Sequence, residues 1–502
     1  MGRSLDIDQA LHSGDLNYAL QLISDLTSEE WSQERVMESV VDVYVAQLKV
    51  VSKNFSLFCE TIRSIPCSLS FESETVVLQI VLEESVNYIN VSNKRKVGTL
   101  YSDTKQLFSI LSSLSFKGRG MDVDQVVRAI YSVFRKRPSL FLLEVLNWWE
   151  EIGVNDCSKQ PERDGKREIR PLYSRFYELV TRAILNTDQA KGALGEGWRD
   201  RVCQFVASYP KAMNVAYALY DLCVRREEID WGIATQKAFV QSNIGLGWGW
   251  VLLAQYHKQL DHQETVFACL CRASLCSMSL MSRWFIWIDM VELAASNAGE
   301  NVSSWLAYQI LQSQEASLSK ENISMVHHYQ NAAIPCSSKV ANEVIKEWAH
   351  DAERWLWSDY PTFVGVVSWI DRKAKVVGIV YGVDQRIVVP FSQISFKVDM
   401  GQWLRVVGTK EEDINPKLLY IEPSKTLPSG AIFKTVSGRV QQKIGEPFGF
   451  VADCFIPPHL MTKRNLQQGE WVELSLVYDI DKRLDKMTWK VVTVEKIDRP
   501  SL

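Results

Sequence analysis

The 502-residue chain predicts an α+β multidomain architecture, an all-α helical-repeat solenoid followed by two small β-barrels. Three observations carry that expectation. Up to about residue 358, apolar residues recur at three-to-four spacing, the period of a helix with one buried face. From Phe363 onward, β-branched residues alternate and turn residues recur every eight to twelve positions, as short antiparallel strands require. Within this second region one layout occurs twice: Gly438 lies 73 residues after Gly365, and Gly469 lies 68 after Gly401. A tandem duplication accounts for both spacings.

The helical part begins with Ile7 to Ile23, where apolar residues flank Gly14-Asp15 as in a helical hairpin. It reads like half a tetratricopeptide unit. Helices are predicted through Val36–Val51, Thr75–Val91, Asp122–Phe134 and Leu140–Trp149, making residues 1–154 an N-terminal helical domain. Residues 155–170 have few apolar side chains and read as a polar linker or surface loop. Residues 171–358 hold the clearer repeat. Trp250-x-x-Leu253-Ala254 followed by Ala273 matches the tetratricopeptide pattern, in which small residues sit where two helices touch. Ala218 and Ala238 precede Ala254 and Ala273 by 36 and 35 positions, close to the period of about 34. This block is predicted to be a tetratricopeptide-like solenoid whose surface binds a protein partner.

The strand region divides into barrels over 361–424 and 430–498. In the first, Phe363–Ile370, Val376–Tyr381, Arg386–Ile394 and Gly401–Val407 are the strand-like runs. In the second they are Thr435–Val440, Pro447–Val451, Asp453–Pro458, Gly469–Leu474 and Thr488–Val492. Each copy resembles the cold-shock and S1 branch of OB-folds, which run from a G-x-V strand through G-F-G-F-I and an aromatic third strand to G-x-x-V. The second copy is nearer, with Phe448-Gly449-Phe450-Val451 and Phe455-Ile456-Pro457. The resemblance implies that outward aromatics stack on unpaired bases of single-stranded RNA or DNA. By position, Phe448, Phe450, Phe455 and His459 become the platform, and Lys443, Lys463 and Arg464 meet phosphate. The first copy departs from the pattern at Val376-Val377-Gly378-Ile379. Only Trp369, Tyr381 and Phe391 are left there as aromatics, with Arg372, Lys373, Lys375 and Arg386 as cations.

The whole arrangement, including Phe267-Ala268-Cys269-Leu270-Cys271-Arg272-Ala273 in the repeat block, resembles bacterial tetratricopeptide-repeat proteins fused to cold-shock-like or S1-like OB domains, of the kind associated with TOTE-type conflict systems. That resemblance implies an adaptor beside nucleic-acid enzymes rather than an activity of its own.

Composition is consistent with this. The net charge is −4, yet from Pro361 onward 20 Lys plus Arg face 16 Asp plus Glu, so a mildly basic tail follows an acidic body. Ten cysteines lack any C-x-x-C pair, as in a reducing compartment. With an acidic N-terminus and no run of about 18 apolar residues, a cytoplasmic protein without membrane contact is expected. Cys269, Cys271 and Cys276 near His257 and His262 lack zinc-knuckle spacing. No P-loop, H-E-x-x-H or G-x-S-x-G occurs, and the pairs Asp122/Asp124 and Asp479/Asp481 read as solvated. Hence no enzyme, no metal and no cofactor are expected. Of the tryptophans, Trp148, Trp149, Trp231, Trp248, Trp250, Trp284 and Trp287 are assigned mostly to packing. The alternative to nucleic-acid binding is a purely protein-binding scaffold. An unrecognised enzyme is the outsider, and it would need a cleft of convergent polar groups.

Overall fold

Gly14 adopts a left-handed φ of 80°, and the Asp15 carboxylate then caps the next helix by accepting from the Tyr18 amide at 3.1 Å. The predicted hairpin is thereby built from helices Gly2–His12 and Leu16–Ser24. A computed structural model describes residues 2–66, 69–92, 97–116, 122–164, 167–276, 280–314, 318–394, 396–408, 418–481 and 486–498. Helices Glu34–Val51, Phe71–Ser92, Asp124–Phe134 and Phe141–Ile152 stand where the periodicity predicts them. Each buries one apolar stripe, as in Val126, Val127, Ile130 and Val133 of Asp124–Phe134.

Two compact units make up the chain. One comprises Met1–Val266 with Cys276–Met278, the other Phe267–Leu275 with Ser279–Leu502. The division falls inside the helix Gln263–Ser274, not at residue 358.

Within the first unit, the polar interval is not a loose linker. It forms the short helix Asp156–Lys159 and a hairpin of β1 (Glu162–Asp164) and β2 (Arg167–Ile169). Glu162 anchors it, paired to Arg128 at 2.7 Å and Arg175 at 2.9 Å. Charge pairing replaces the apolar burial that the segment lacks. Next to it, the Glu150 carboxylate accepts from the Tyr173 and Tyr177 hydroxyls at 2.6 and 2.7 Å and pairs with Arg201. Helices Phe141–Ile152, Leu172–Leu185 and Ala193–Ser208 are therefore stitched across the expected domain border. Within residues 171–358 Trp250, Ala254 and Ala273 are buried, whereas Ala238 is exposed. The close approach is made by Gly232, where a Cβ would come within 2.3 Å of the Tyr256 ring.

The second unit continues with helices Leu280–Asn297, Glu300–Gln314, Lys320–Ala332 and Ser338–Leu356. Two strand modules follow. The first has β3 (Thr362–Asp371), β4 (Val376–Val380), β5 (Arg386–Pro390), β6 (Trp403–Gly408) and β7 (Leu418–Pro423), arranged β5-β4-β3-β6-β7 in one antiparallel sheet. It curls into a half-barrel over Val367, Val377, Ile379, Ile387, Val389, Leu404, Val406 and Ile421. The second has β8 (Phe433–Arg439), β9 (Gly449–Val451), β10 (Cys454–Ile456), the helix Pro458–Arg464, β11 (Trp471–Asp481) and β12 (Lys486–Lys496). Here β11 pairs with β8 and β12, β9 pairs with β10, and β10 packs beside β12 to complete the circuit. The helix closes one end of this barrel with Leu460 and Met461.

The two modules share a packing feature. In each module a glycine on the first strand lets the second strand lie close: a Cβ on Gly365 would sit 2.6 Å from Ile379 Cγ2, and one on Gly438 2.9 Å from Val451 Cγ1. The modules also share a small core of Val366, Val380, Ile432, Phe433, Val477 and Val492. Beside it, Arg386 pairs with the buried Asp479 at 2.8 Å. At the other side of the half-barrel, the buried Glu422 of β7 accepts from Arg354 of the helix Ser338–Leu356 at 3.1 Å and from Arg405 at 2.9 Å.

Candidate nucleic-acid interface

Strand alternation decides which aromatics of the second barrel meet solvent. In β9, Gly449 and Val451 are buried, which turns Phe450 outward; in β10, Ile456 is buried and Phe455 points out. The two are direct cross-strand partners, 38% and 49% exposed. Half-buried Phe448 completes a triad with ring centroids 5.8 Å from Phe450 and 5.4 Å from Phe455, while Phe450 and Phe455 are 5.7 Å apart. A two-residue turn sets this hairpin, with Ala452 at φ 44° and Asp453 at φ 65°, the left-handed pair that tight hairpins demand. Large rings left in water beside one another are an expensive arrangement unless they have something to cover.

The aromatic surface extends further than the sequence motif suggested. Gln441 bridges Phe450, and two residues before it Arg439 lies opposite Trp471 in the β8–β11 register. The Arg439 guanidinium stands 5.4 Å from the Trp471 ring centroid, a cation–π contact. The next outward pair, Ser437 and Glu473, is joined by a 3.4 Å hydrogen bond, so a carboxylate follows the cation on this row. Arg439 and Trp471 were legible in principle. Arg439 is the middle residue of Gly438-x-Val440, and Trp471 directly precedes the inward Val472; alternation turns both outward.

The expected cations are all exposed. Lys443 sits in the loop that leads into Phe448. Lys463 and Arg464 occupy the last turn of the helix after β10, with roughly 10 Å of helix between them and that strand. His459 is exposed in the first turn of the same helix. None of these three cations has an ion pair among the described residues.

The half-barrel is different. Tyr381 and Phe391, the aromatics left to this copy, are half-buried against its core: with Val and Ile on β4, the core draws its aromatics from the flanking turns. Trp369 is half-buried and lies across its cross-strand partner Gly378, within 2.0 Å of where a Cβ would be. Arg372, Lys373 and Lys375 are exposed in the β3–β4 turn, where the Asp371 carboxylate accepts from the Lys373 and Ala374 amides at 2.9 Å each. This copy brings cations together but no exposed stack of rings.

Other sequence candidates resolve into packing. Asp124 is buried, accepting from Trp149 Nε1 at 2.6 Å; burial raises its pKa against the hydrogen bonds from Ser158 and Trp149. Asp479 is likewise buried in its ion pair with Arg386, so neither acidic pair is simply solvated. The Asp481 and Trp284 side chains lie outside the described residues. Trp149 and Trp250 are fully buried, Trp148 is 8% exposed, and half-buried Trp231 carries Arg199 over its ring at 4.2 Å. His257 meets His262 through their Nδ1 atoms at 3.2 Å, and burial, with His262 and Lys237 nearby, lowers its pKa to about 4. Burial raises the Cys269 and Cys271 thiols far above their ordinary value. Among the described residues no three His, Cys, Asp or Glu side chains gather as a metal site would need, and no helix is long and apolar enough to cross a membrane.

Residues 434–494 match the family model of S1/CSD-like domain 2 of the TOTE conflict systems. The match spans β8 to β12 and so contains the Phe triad, Arg439 and Trp471. No curated protein matches the chain.

Proposed function

We propose that this chain, whose residues 434–494 resemble a conflict-system S1/CSD-like domain, binds single-stranded nucleic acid on its second barrel and works as a non-enzymatic adaptor. The carrying observation is the cross-strand pair Phe450 and Phe455, held outward by a tight turn and backed by Phe448. Bases stack on such rings whatever their identity, because each offers a π face. Arg439 over Trp471 prolongs the path, and Lys443, Lys463 and Arg464 supply the phosphate contacts. The helical surfaces, tetratricopeptide-like in the block 171–358, take the protein partner. The half-barrel, with Tyr381 and Phe391 packed on its core and Glu422 clamped to a helix, acts as a docking block, which is the part of the protein-scaffold alternative that an observation favours.

The test is fluorescence-anisotropy titration of the full chain with labelled single-stranded RNA and DNA at two salt concentrations, beside Phe450→Ala/Phe455→Ala. The full chain is required because the fragment from residue 361 would lose the Arg354–Glu422 pair. Saturable binding that weakens with salt and disappears in the variant is expected. Equal binding by the variant would remove the stacking mechanism, and no binding at low salt would leave the scaffold alternative.

A further inference from the structure

The first unit contains a cavity of about 610 Å³ that the barrel mechanism does not use. One side of it is aromatic. Tyr173 lies edge-on to Phe205 with centroids 5.1 Å apart and to Tyr209 at 5.9 Å, and Phe205 and Tyr209 are 4.7 Å apart. The Tyr173 ring is fixed in place because its hydroxyl donates to Glu150 at 2.6 Å. Burial and that bond push the phenol far above its ordinary pKa, so it stays neutral.

The lining is also charged. Lys159, Arg170 and Lys211 line the cavity with Glu168 as the single carboxylate. Lys159 is paired with Asp156 at 3.1 Å and Arg170 with Glu178 at 3.1 Å, while the Lys211 ammonium has no partner among the described residues. Asn214 and Asn243 also reach the lining, their amide groups donating to Ser174 and Glu178 and to Phe239. The polar interval anchored by Glu162 forms a further wall through Lys159, Pro161 and Arg170, so the aromatic side faces charged residues across a partly open space.

We infer that this cavity binds a mononucleotide, its base against Tyr173, Phe205 and Tyr209 and its phosphate at Lys211 and Arg170. The volume falls within the roughly 300–1,000 Å³ of small-molecule pockets, which are mostly apolar with a few placed polar groups. Rings accept any base by stacking, and cations favour phosphate. The inference is independent of the barrels.

Isothermal titration tests it, using the full chain carrying Phe450→Ala/Phe455→Ala so that the barrel face is silent. The probes are AMP, UMP, adenosine and inorganic phosphate. One saturable site for AMP is expected. Lys211→Ala, on an exposed side chain, should weaken AMP by about tenfold and leave adenosine unchanged, while Tyr209→Ala weakens both. No uptake of AMP or UMP at millimolar concentration overturns the inference. So does AMP affinity unaltered by Lys211→Ala, or phosphate binding as tightly as AMP.

Discussion

The two C-terminal modules share a strand plan and a first-strand glycine, yet they present opposite faces. In the second barrel the outward cross-strand pair on the second and third strands is Phe450 and Phe455; in the half-barrel the pair between its two inward neighbours is Gly378 and Val388. One is an exposed aromatic surface. The other is a glycine roofed by Trp369 beside one exposed valine. The environments differ as well, for the half-barrel is held by a helix through Glu422 and by its sister through the shared core. Two side-chain positions on the second and third strands separate an exposed pair of rings from a nearly bare face.

That contrast can be broken or sharpened by mutation. The largest effect belongs to Phe450→Ala/Phe455→Ala. At roughly 1–3 kcal/mol per stacked ring, single-strand affinity should fall at least about 30-fold with an unchanged far-UV circular dichroism spectrum. Val388→Ala, the counterpart in the half-barrel, should leave the same anisotropy curve where it is.

Next comes support. Glu422→Ala leaves Arg354 and Arg405 facing a site without its carboxylate, and the midpoint of chemical denaturation should fall by an amount worth about 2–3 kcal/mol. Nucleic-acid affinity of the folded protein should persist.

The two glycines then separate the copies more finely. A Cβ at Gly365 would meet the Val380 carbonyl oxygen at 2.9 Å as well as Ile379; backbone cannot step aside, and Gly365→Ala should cost about 2–3 kcal/mol. Gly438→Ala meets only a Val451 methyl and should cost less, as paired thermal melts would show.

The smallest effect is a pH dependence at the helix that docks the half-barrel. His350 stands 3.5 Å from Glu353. The hydrogen bond to Glu353 holds His350 above its ordinary pKa against the opposing effect of burial. Burial pushes the Glu353 carboxyl up, but His350 and Arg272 together hold it below its usual range. A raised histidine contributes stability below its unfolded value near 6.5 and loses it as pH climbs through the raised value. A lowered carboxyl contributes above its unfolded value near 4.3 and loses it as pH falls through the lowered one. Thermal stability should therefore decline on both sides of that window, and His350→Gln should flatten the alkaline side and weaken the acid side, where Arg272 alone then holds Glu353 down.

How much of this the sequence could reveal depended on the range of the interaction. Phe450 and Phe455 were legible because alternation over three residues settles which side chains face water. Arg439 and Trp471 obey the same rule, though they lie outside the aromatic motif of β9 and β10. Tyr381 and Phe391 were misplaced since they sit at strand ends, where alternation no longer says which way a ring turns. Ala238 was misread because a period of 35 fixes spacing and not facing, and Gly232 made the contact instead. The ordered interval held by Glu162, and the unit boundary inside the helix Gln263–Ser274, rest on partners far along the chain. Arg354 reaches Glu422 across 68 residues, and no local pattern announces such a pair.

Strand β11 has a mechanical consequence. It begins at Trp471 on the outward face, passes Val477 in the core common to both modules, and reaches Asp479 at its ion pair with Arg386. Tension applied to a polymer lying over Trp471 would be carried along that strand and borne in shear by its hydrogen-bonded neighbours β8 and β12, whose bonds must yield together rather than one after another. The aromatic face is thus mounted at one end of a tether whose other end is fastened to the half-barrel.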